Sequence, residues 1–323
     1  DLHSFPTRRS SDLEIELRTL IDYWIKQKHI IPTDTIWFKI DKDAVLRSGM
    51  KIPACYIGAT DEETKANMPD RMYISLKGKN YLVKNEILML DLIANCNWER
   101  PLFISTTVPD DAFLDLQDYL LLEGLAQRIT PFNWTEVGIE EENSAFGYID
   151  PDRMYENCKK FRFGGLDNPD VYVDETYRRM IDTHRRLFAE LAQILINIGQ
   201  KDKAREILDL VSDGICNEVD PLVDWKYGGA YQTAVTYLQI GDKEKALAIT
   251  CNTTENLLQQ MRWYLSMNDK NLRSSKSVFE SNSKVIQEAM LPIIRECGDE
   301  AAFTNYFNEW GMMRQDFDFR IKK

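Results

Sequence analysis

Along Glu14 to Asp150 the spacing of apolar positions changes several times. Leu17, Leu20, Ile21, Trp24 and Ile25 fall at i, i+3, i+4, i+7 and i+8, which predicts an amphipathic helix over Glu16–Lys28, stopped by Pro32. Ile36, Phe38 and Ile40 then alternate with Trp37 and Lys39, the period of a strand. Met72, Ile74 and Leu76 alternate again, and Lys77-Gly78-Lys79-Asn80 separates them from Tyr81-Leu82-Val83, so a β-hairpin is expected. A helix follows, with Asn85 as N-cap, Glu86 in its first turn, and Ile87, Leu90, Ile93 and Ala94 on one face. Leu102 to Val108 is short and β-branched and reads as a buried strand, and Phe113 to Leu122 reads as a second helix. Together these elements make residues 14–150 an α/β lobe in an α+β chain.

The second lobe, residues 151–323, is patterned differently. Asp150-Pro151-Asp152 opens a helix over Arg153–Phe161, Gly164-Gly165 and Asn168-Pro169 close that segment, and helices dominate from Asp174. Asn197-Ile198-Gly199-Gln200-Lys201-Asp202-Lys203-Ala204 and Gln239-Ile240-Gly241-Asp242-Lys243-Glu244-Lys245-Ala246 are one phrase repeated 42 residues apart. The phrase resembles the inter-helix turn of a tetratricopeptide repeat, in which Gly ends one helix and a small Ala lets the next approach closely. Phe188, Leu191, Ala192 and Leu195 precede the first turn at the expected spacing, and Leu208 and Val211 fill later positions. The second unit places Ala230, Ala234, Tyr237 and Ala246, with Thr250 where an aromatic is usual, and Cys297-Gly298-Asp299-Glu300-Ala301-Ala302 resembles a third, degraded copy. The usual period is about 34 residues, and the excess fits the Gly/Asn/Pro-containing stretch Asp213–Trp225. The resemblance implies an all-α, tetratricopeptide-like lobe that offers a surface to a partner or packs on the first lobe.

Composition narrows the function classes. The 323 residues carry 40 Lys plus Arg against 52 Asp plus Glu, a net charge of −12, which argues against a nucleic-acid partner because phosphate attraction needs a basic footprint. The most apolar stretches are interrupted by Lys84, Glu86 and Asp91, or by Glu190 and Gln193, so none supplies the ~20 uncharged residues of a bilayer span. Apart from His3 near the N-terminus, the histidines are His29 and His184, 155 positions apart and in no zinc-binding spacing, so no metal site is expected. His184 reads as a partly exposed helix residue. Cys55, Cys96, Cys158, Cys216, Cys251 and Cys297 lie 35 to 62 residues apart without a C-x-x-C, the pattern of scattered buried thiols. Phosphate-cradling and α/β-hydrolase motifs are missing, and no cofactor is expected.

Candidate chemistry concentrates in one loop. Asn95, Asn97, Trp98, Glu99 and Arg100 bunch at the mouth of a strand, where Trp stacks on sugars or bases and Asn and Arg supply hydrogen bonds. The same residues also suit a structural corner between helix and strand. A self-contained enzyme would add Glu123 as base. Asp110-Asp111, Asp115, Asp118 and Glu140-Glu141-Glu142 are further carboxylates that suit acid/base chemistry or a cation, but Pro109-Asp110-Asp111 reads more readily as a turn and helix start and Glu140 to Asn143 as a solvated loop. No residue is assigned a catalytic role.

Several phrases occur in order: Leu90-Asp91-Leu92-Ile93-Ala94-Asn95-Cys96-Asn97-Trp98-Glu99-Arg100-Pro101-Leu102-Phe103, Tyr119 to Ile129, Met154-Tyr155, Lys160 to Gly164, and Asp174 to Met180. Over Met72–Ala248 they resemble the soluble C-terminal region of the bacterial protein O-mannosyl-transferase family. The resemblance implies a non-catalytic extracytoplasmic domain of a membrane-embedded GT-C type glycosyltransferase, on the periplasmic face. Its partners would be its own transmembrane region, missing here, and an acceptor protein or peptide. A free-standing helical-repeat scaffold is the alternative. Asp1 to Leu13 lacks a signal-peptide h-region and resembles the translation of a common sequencing-library adapter, so an upstream membrane region is expected in the intact gene. The two Asp and two Arg of this segment cancel, leaving the net charge unchanged.

Overall fold

A computed structural model describes residues 14–26, 34–50, 60–79, 81–109, 113–136 and 147–322. The chain divides into two compact units, Asp1–Asn157 and Cys158–Lys323. The first is a small α/β region with two three-stranded sheets, and the second is all helical. His29, Pro32, Cys55, Asn80, Asp110, Asp111, Glu140, Glu141 and Glu142, like the adapter-like segment, lie outside the described residues.

In the first unit β1 (Ile15–Glu16) runs directly into α1 (Leu17–Ile25), whose Leu17, Leu20 and Trp24 are buried while Ile25 is 73% exposed. β2 (Thr35–Lys39) lies between β1, which it pairs in parallel, and the antiparallel β3 (Arg71–Ser75). Ile36, Phe38, Met72 and Ile74 face the core, and their alternation with Trp37, Lys39 and Tyr73 is the period-two pattern of the sequence. α2 (Lys42–Arg47) and α3 (Asp61–Asn67) intervene, each opened by a capping side chain, Asp41 and Thr60 respectively. α4 (Lys84–Cys96) buries Leu90, Ile93 and Ala94 against the same core.

The expected hairpin does not form. Tyr81–Val83 pairs with no strand; Gly78 turns the chain at φ +85°, Leu82 is buried, and the N–H of Val83 donates to the Glu86 carboxylate at 2.8 Å. Glu86 thus satisfies a free donor at the helix start, so the cap is Val83 and not Asn85. The buried strand expected over Leu102–Val108 is a three-residue edge strand, β4 (Phe103–Ser105), with Phe103 half exposed. The helix expected over Phe113–Leu122 is also absent. Leu114 and Asp115 sit at φ +49° and +55°, which no right-handed helix accommodates, and a single 3-10 turn leads into β5 (Leu120–Leu122), wholly buried beside β6 (Ala126–Ile129). An apolar run this short has no period that separates buried strand from helix. α5 (Pro151–Cys158) opens with proline at its first position and ends three residues short of Phe161.

In the second unit α6 (Glu175–Asn197) packs on α7 (Lys201–Gly214), and α8 (Ala230–Ile240) on α9 (Lys243–Leu265). Both pairs turn the same way. Gly199 and Gly241 adopt φ +81° and +96°, and the next N–H, of Gln200 or Asp242, returns to the carbonyl of Leu195 or Tyr237 at 2.7 and 2.9 Å. The glycine's own N–H bonds Ile196 or Leu238, completing the helix-ending motif that a left-handed residue permits. Phe188, Leu191, Ala192, Leu195, Ala204 and Leu208 are fully buried, as are Tyr237, Ala246 and Thr250. The Thr250 hydroxyl, where an aromatic was the usual residue, donates to Ala246 O at 2.7 Å and leaves no buried donor unsatisfied. α10 (Asp269–Ser274) and α11 (Lys276–Val285) follow, then a π-helical turn over Ile286–Met290, α12 (Leu291–Cys297) and α13 (Glu300–Lys322). Pro292, which cannot donate a helix bond, accounts for the π turn before it, and Gly298 at φ +94° repeats the glycine turn between α12 and α13.

The stretch between α7 and α8 is fastened by a buried charge pair. Arg185 of α6 donates to the Asp220 carboxylate at 2.6 Å and to its carbonyl at 2.5 Å. Asp182 lies one turn earlier; burial, with Asp220 and Asp224 nearby, pushes its carboxyl up to about 6.

Gly241→Ala forces a Cβ into the left-handed region and lowers stability by about 1 kcal/mol, whereas Gly311→Ala, inside α13 with open space around it, raises it by about 0.5–1 kcal/mol. Urea midpoints of opposite sign check the pair. Asp182 binds its proton more tightly folded than unfolded, so its contribution is complete below about pH 4 and is lost as pH rises through about 6. Asp182→Asn therefore raises the melting temperature at pH 7.5 and leaves it nearly unchanged at pH 4, measured by thermal melts across that range.

Candidate functional site

The loop that closes α4 is where the sequence concentrates ligand-type residues, and it is built on strained backbone. Asn97 and Trp98 occupy φ +47° and +60°, consecutive left-handed residues with no glycine between them. Each such residue costs on the order of 1 kcal/mol. Trp98 is 4% exposed, with its ring centroid 6.0 Å from that of Phe38 in the core, and its burial compensates the strain. Among the described residues the Trp98 indole N–H has no hydrogen-bond partner. Trp98 is therefore a core anchor, and no stacking platform is left for a ligand. Asn95 turns its amide back to the Asp91 carbonyl and carboxylate at 2.8 and 2.9 Å, while Glu99 and Arg100 are exposed.

Asn97 lines a cavity. A cleft of about 550 Å³ is lined by Glu16 and Arg18 at the start of α1, by Trp37 to Lys42 at the end of β2, and by Asn97. Trp37, half buried on the outer face of the first sheet, stands in register with Glu16 on one side and Tyr73 on the other. The Arg71 guanidinium lies over the Trp37 ring at 4.1 Å and restrains it. Arg18 Nε donates to Ala94 O at 2.9 Å, tying α1 to the last turn of α4 and so fixing the two walls of the cleft. Glu16 Oε2 accepts from the Thr19 backbone and hydroxyl, and Asp41 Oδ1 from the backbone of Asp43 and Ala44. Among the described residues, one oxygen of each carboxylate bonds the fold and the other makes no hydrogen bond. Lys42 pairs with Asp70 at 2.8 Å and holds that carboxyl below the usual carboxylate range. Sequence reasoning reached Asn97 and missed Trp37; the period-two pattern that puts Trp37 outside the core was the available signal.

Glu123 stands among a different set of partners. Its carboxylate meets Arg153 at 3.1 Å and Arg128 at 3.5 Å, and its carbonyl accepts from Asn157 at 2.6 Å. Arg128, 3% exposed, also reaches the Ser48 hydroxyl, and Arg153 reaches Gly49 O and Asp150. Burial raises the Asp150 carboxyl and lowers the Arg128 guanidinium, each disfavouring the charged form. Two cations and two carboxylates close this corner, joining β5–β6, the end of α2 and α5. None of Asn95, Asn97, Trp98, Glu99 and Arg100 is among the Glu123 partners.

His184 Nδ1 lies 2.6 Å from Met180 O on α6, with its ring edge-on to Phe161. Cys158 is buried, which pushes its thiol up to about 12 and keeps it protonated, while Cys96, Cys216, Cys251 and Cys297 are partly buried free thiols. Among the described residues no three His, Cys, Asp or Glu side chains are placed to hold a metal ion, and no helix is long and apolar enough to cross a membrane.

Residues 7–152 match the family model TMEM260-associated domain 2. The matched stretch covers nearly all of the first unit, somewhat less than half of the chain, and begins inside the adapter-like segment. It includes the cleft and Glu123 but stops one residue before Arg153. No curated protein and no solved structure matches the chain.

Glu123→Gln leaves Arg128 buried beside a neutral partner. The expected loss is about 3 kcal/mol, read as a lowered urea midpoint of the first unit; a catalytic base would instead leave stability nearly unchanged.

Proposed function

We propose that the chain is the non-catalytic, extracytoplasmic C-terminal domain of a membrane-embedded GT-C type glycosyltransferase, protein O-mannosyltransferase-like, which positions the acceptor protein or steadies the membrane half. The carrying observation is the match of residues 7–152 to a domain described by its association with a TMEM260 membrane protein. The ordered phrases from Leu90 to Met180, which continue past the matched stretch into α6, support the same reading. The polar groups at Glu123 and Arg185 are spent on the fold, which fits a domain that supports chemistry carried out elsewhere.

A second reading, a tetratricopeptide-like scaffold binding a peptide or protein, is favoured by the shared turn geometry at Gly199 and Gly241 and its partial repeat at Gly298. The two readings differ in what precedes the domain.

The test is recovery of the intact gene and expression with alkaline phosphatase fused after Lys323. Several upstream apolar spans of ~20 residues and an active fusion, which requires export, are expected. An upstream sequence without such spans, or a fusion inactive in membranes, would overturn the first reading and leave the scaffold.

A further inference from the structure

The cleft beside Asn97 has the chemistry of a site for a neutral polyhydroxyl ligand. Its charged lining is nearly balanced, Arg18, Lys39 and Lys42 against Glu16 and Asp41, so a phosphate would meet two carboxylates and a cation three positive groups. Sugar hydroxyls both donate and accept, and carboxylate, amide, guanidinium and ammonium groups around one aromatic ring satisfy both demands. Its volume of about 550 Å³ lies within the usual span of small-ligand pockets, roughly 300–1,000 Å³.

The backbone adds a second, independent observation. A helix that ends in the left-handed region normally does so on glycine, as α6, α8 and α12 do at Gly199, Gly241 and Gly298. α4 ends instead on Asn97, whose side chain lines the cleft, and the strain there is held by Trp98 in the core. Glycine would serve the turn better; asparagine supplies an amide to the cavity.

We propose that this cleft binds the hexose units of a glycan, a saccharide of two or three rings stacked against Trp37 and hydrogen-bonded by Asn97, Arg18 and the outward oxygens of Glu16 and Asp41. The proposal rests on the glycosyltransferase reading only for where the glycan comes from: sugars already placed on the acceptor would be retained by the domain.

The full 323-residue chain is titrated with mannobiose, mannotriose, cellobiose and lactose by calorimetry and tryptophan fluorescence. At least one saccharide binds the unaltered chain. Asn97→Gly removes the amide and relieves the strained turn, so it weakens binding about tenfold or more while the melting temperature stays equal or rises. Trp37→Ala abolishes binding. Absence of binding by the unaltered chain up to about 10 mM of every saccharide overturns the proposal, and so does binding that both variants retain. Capture of inorganic phosphate or a short peptide in the cleft, lost with Asn97→Gly, overturns the ligand class. Failure here leaves the outcome of the gene-recovery experiment untouched, and a saccharide-binding chain without upstream spans would keep the cleft while ending the transferase reading.

Discussion

The burial of Trp98 beside Phe38 is the contact on which the first unit turns. It ends α4, holds two successive residues in left-handed backbone, and thereby brings Asn97 to the rim of a cleft whose other wall is the start of α1. Burying an aromatic ring of this size is worth a few kcal/mol, enough to outweigh two strained residues at about 1 kcal/mol each. The tie from Arg18 to Ala94 O sets the same wall from the other side. Core packing and cleft geometry are therefore one arrangement.

The second unit rests on a different device, used three times. A glycine in left-handed backbone lets one helix end and the next return along it, and small or apolar residues fill the space between. Where the filling residue is polar, as at Thr250 or Tyr237, a hydrogen bond satisfies it: Thr250 to the preceding turn, Tyr237 to Asp209 and Ser212 of α7. The long stretch between α7 and α8 has no such pattern and is instead secured by Arg185 and Asp220, two residues whose relation lies 35 positions apart.

What was legible in the sequence follows from these physics. Period-coded elements, α1, β2 and the helices around Gly199 and Gly241, were readable because one face is buried and the other is not. The failures have two causes: a helix cap that overrides strand pairing, and a partner strand that the local pattern does not reveal. Tyr81–Val83 lost its strand to the Glu86 carboxylate, and Leu120–Leu122 became a strand because β6 is beside it. The candidate site divided in the same way. Asn97 was identified by residue type, but Trp98 and Glu123 carry signals of ligand chemistry that the core and a buried charge corner absorb. Trp37, on an ordinary alternating strand, gave no sign beyond its parity.

The charge corner at Glu123 also defines where the first unit can be cut. The matched stretch stops at residue 152, yet the nearer of the two guanidiniums on Glu123 and the amide that holds its carbonyl come from Arg153 and Asn157. A fragment trimmed to the similarity boundary would leave Glu123 with Arg128 alone and its carbonyl without the Asn157 amide. The physical edge of this unit is thus electrostatic and lies about one helical turn beyond the residue where the similarity ends.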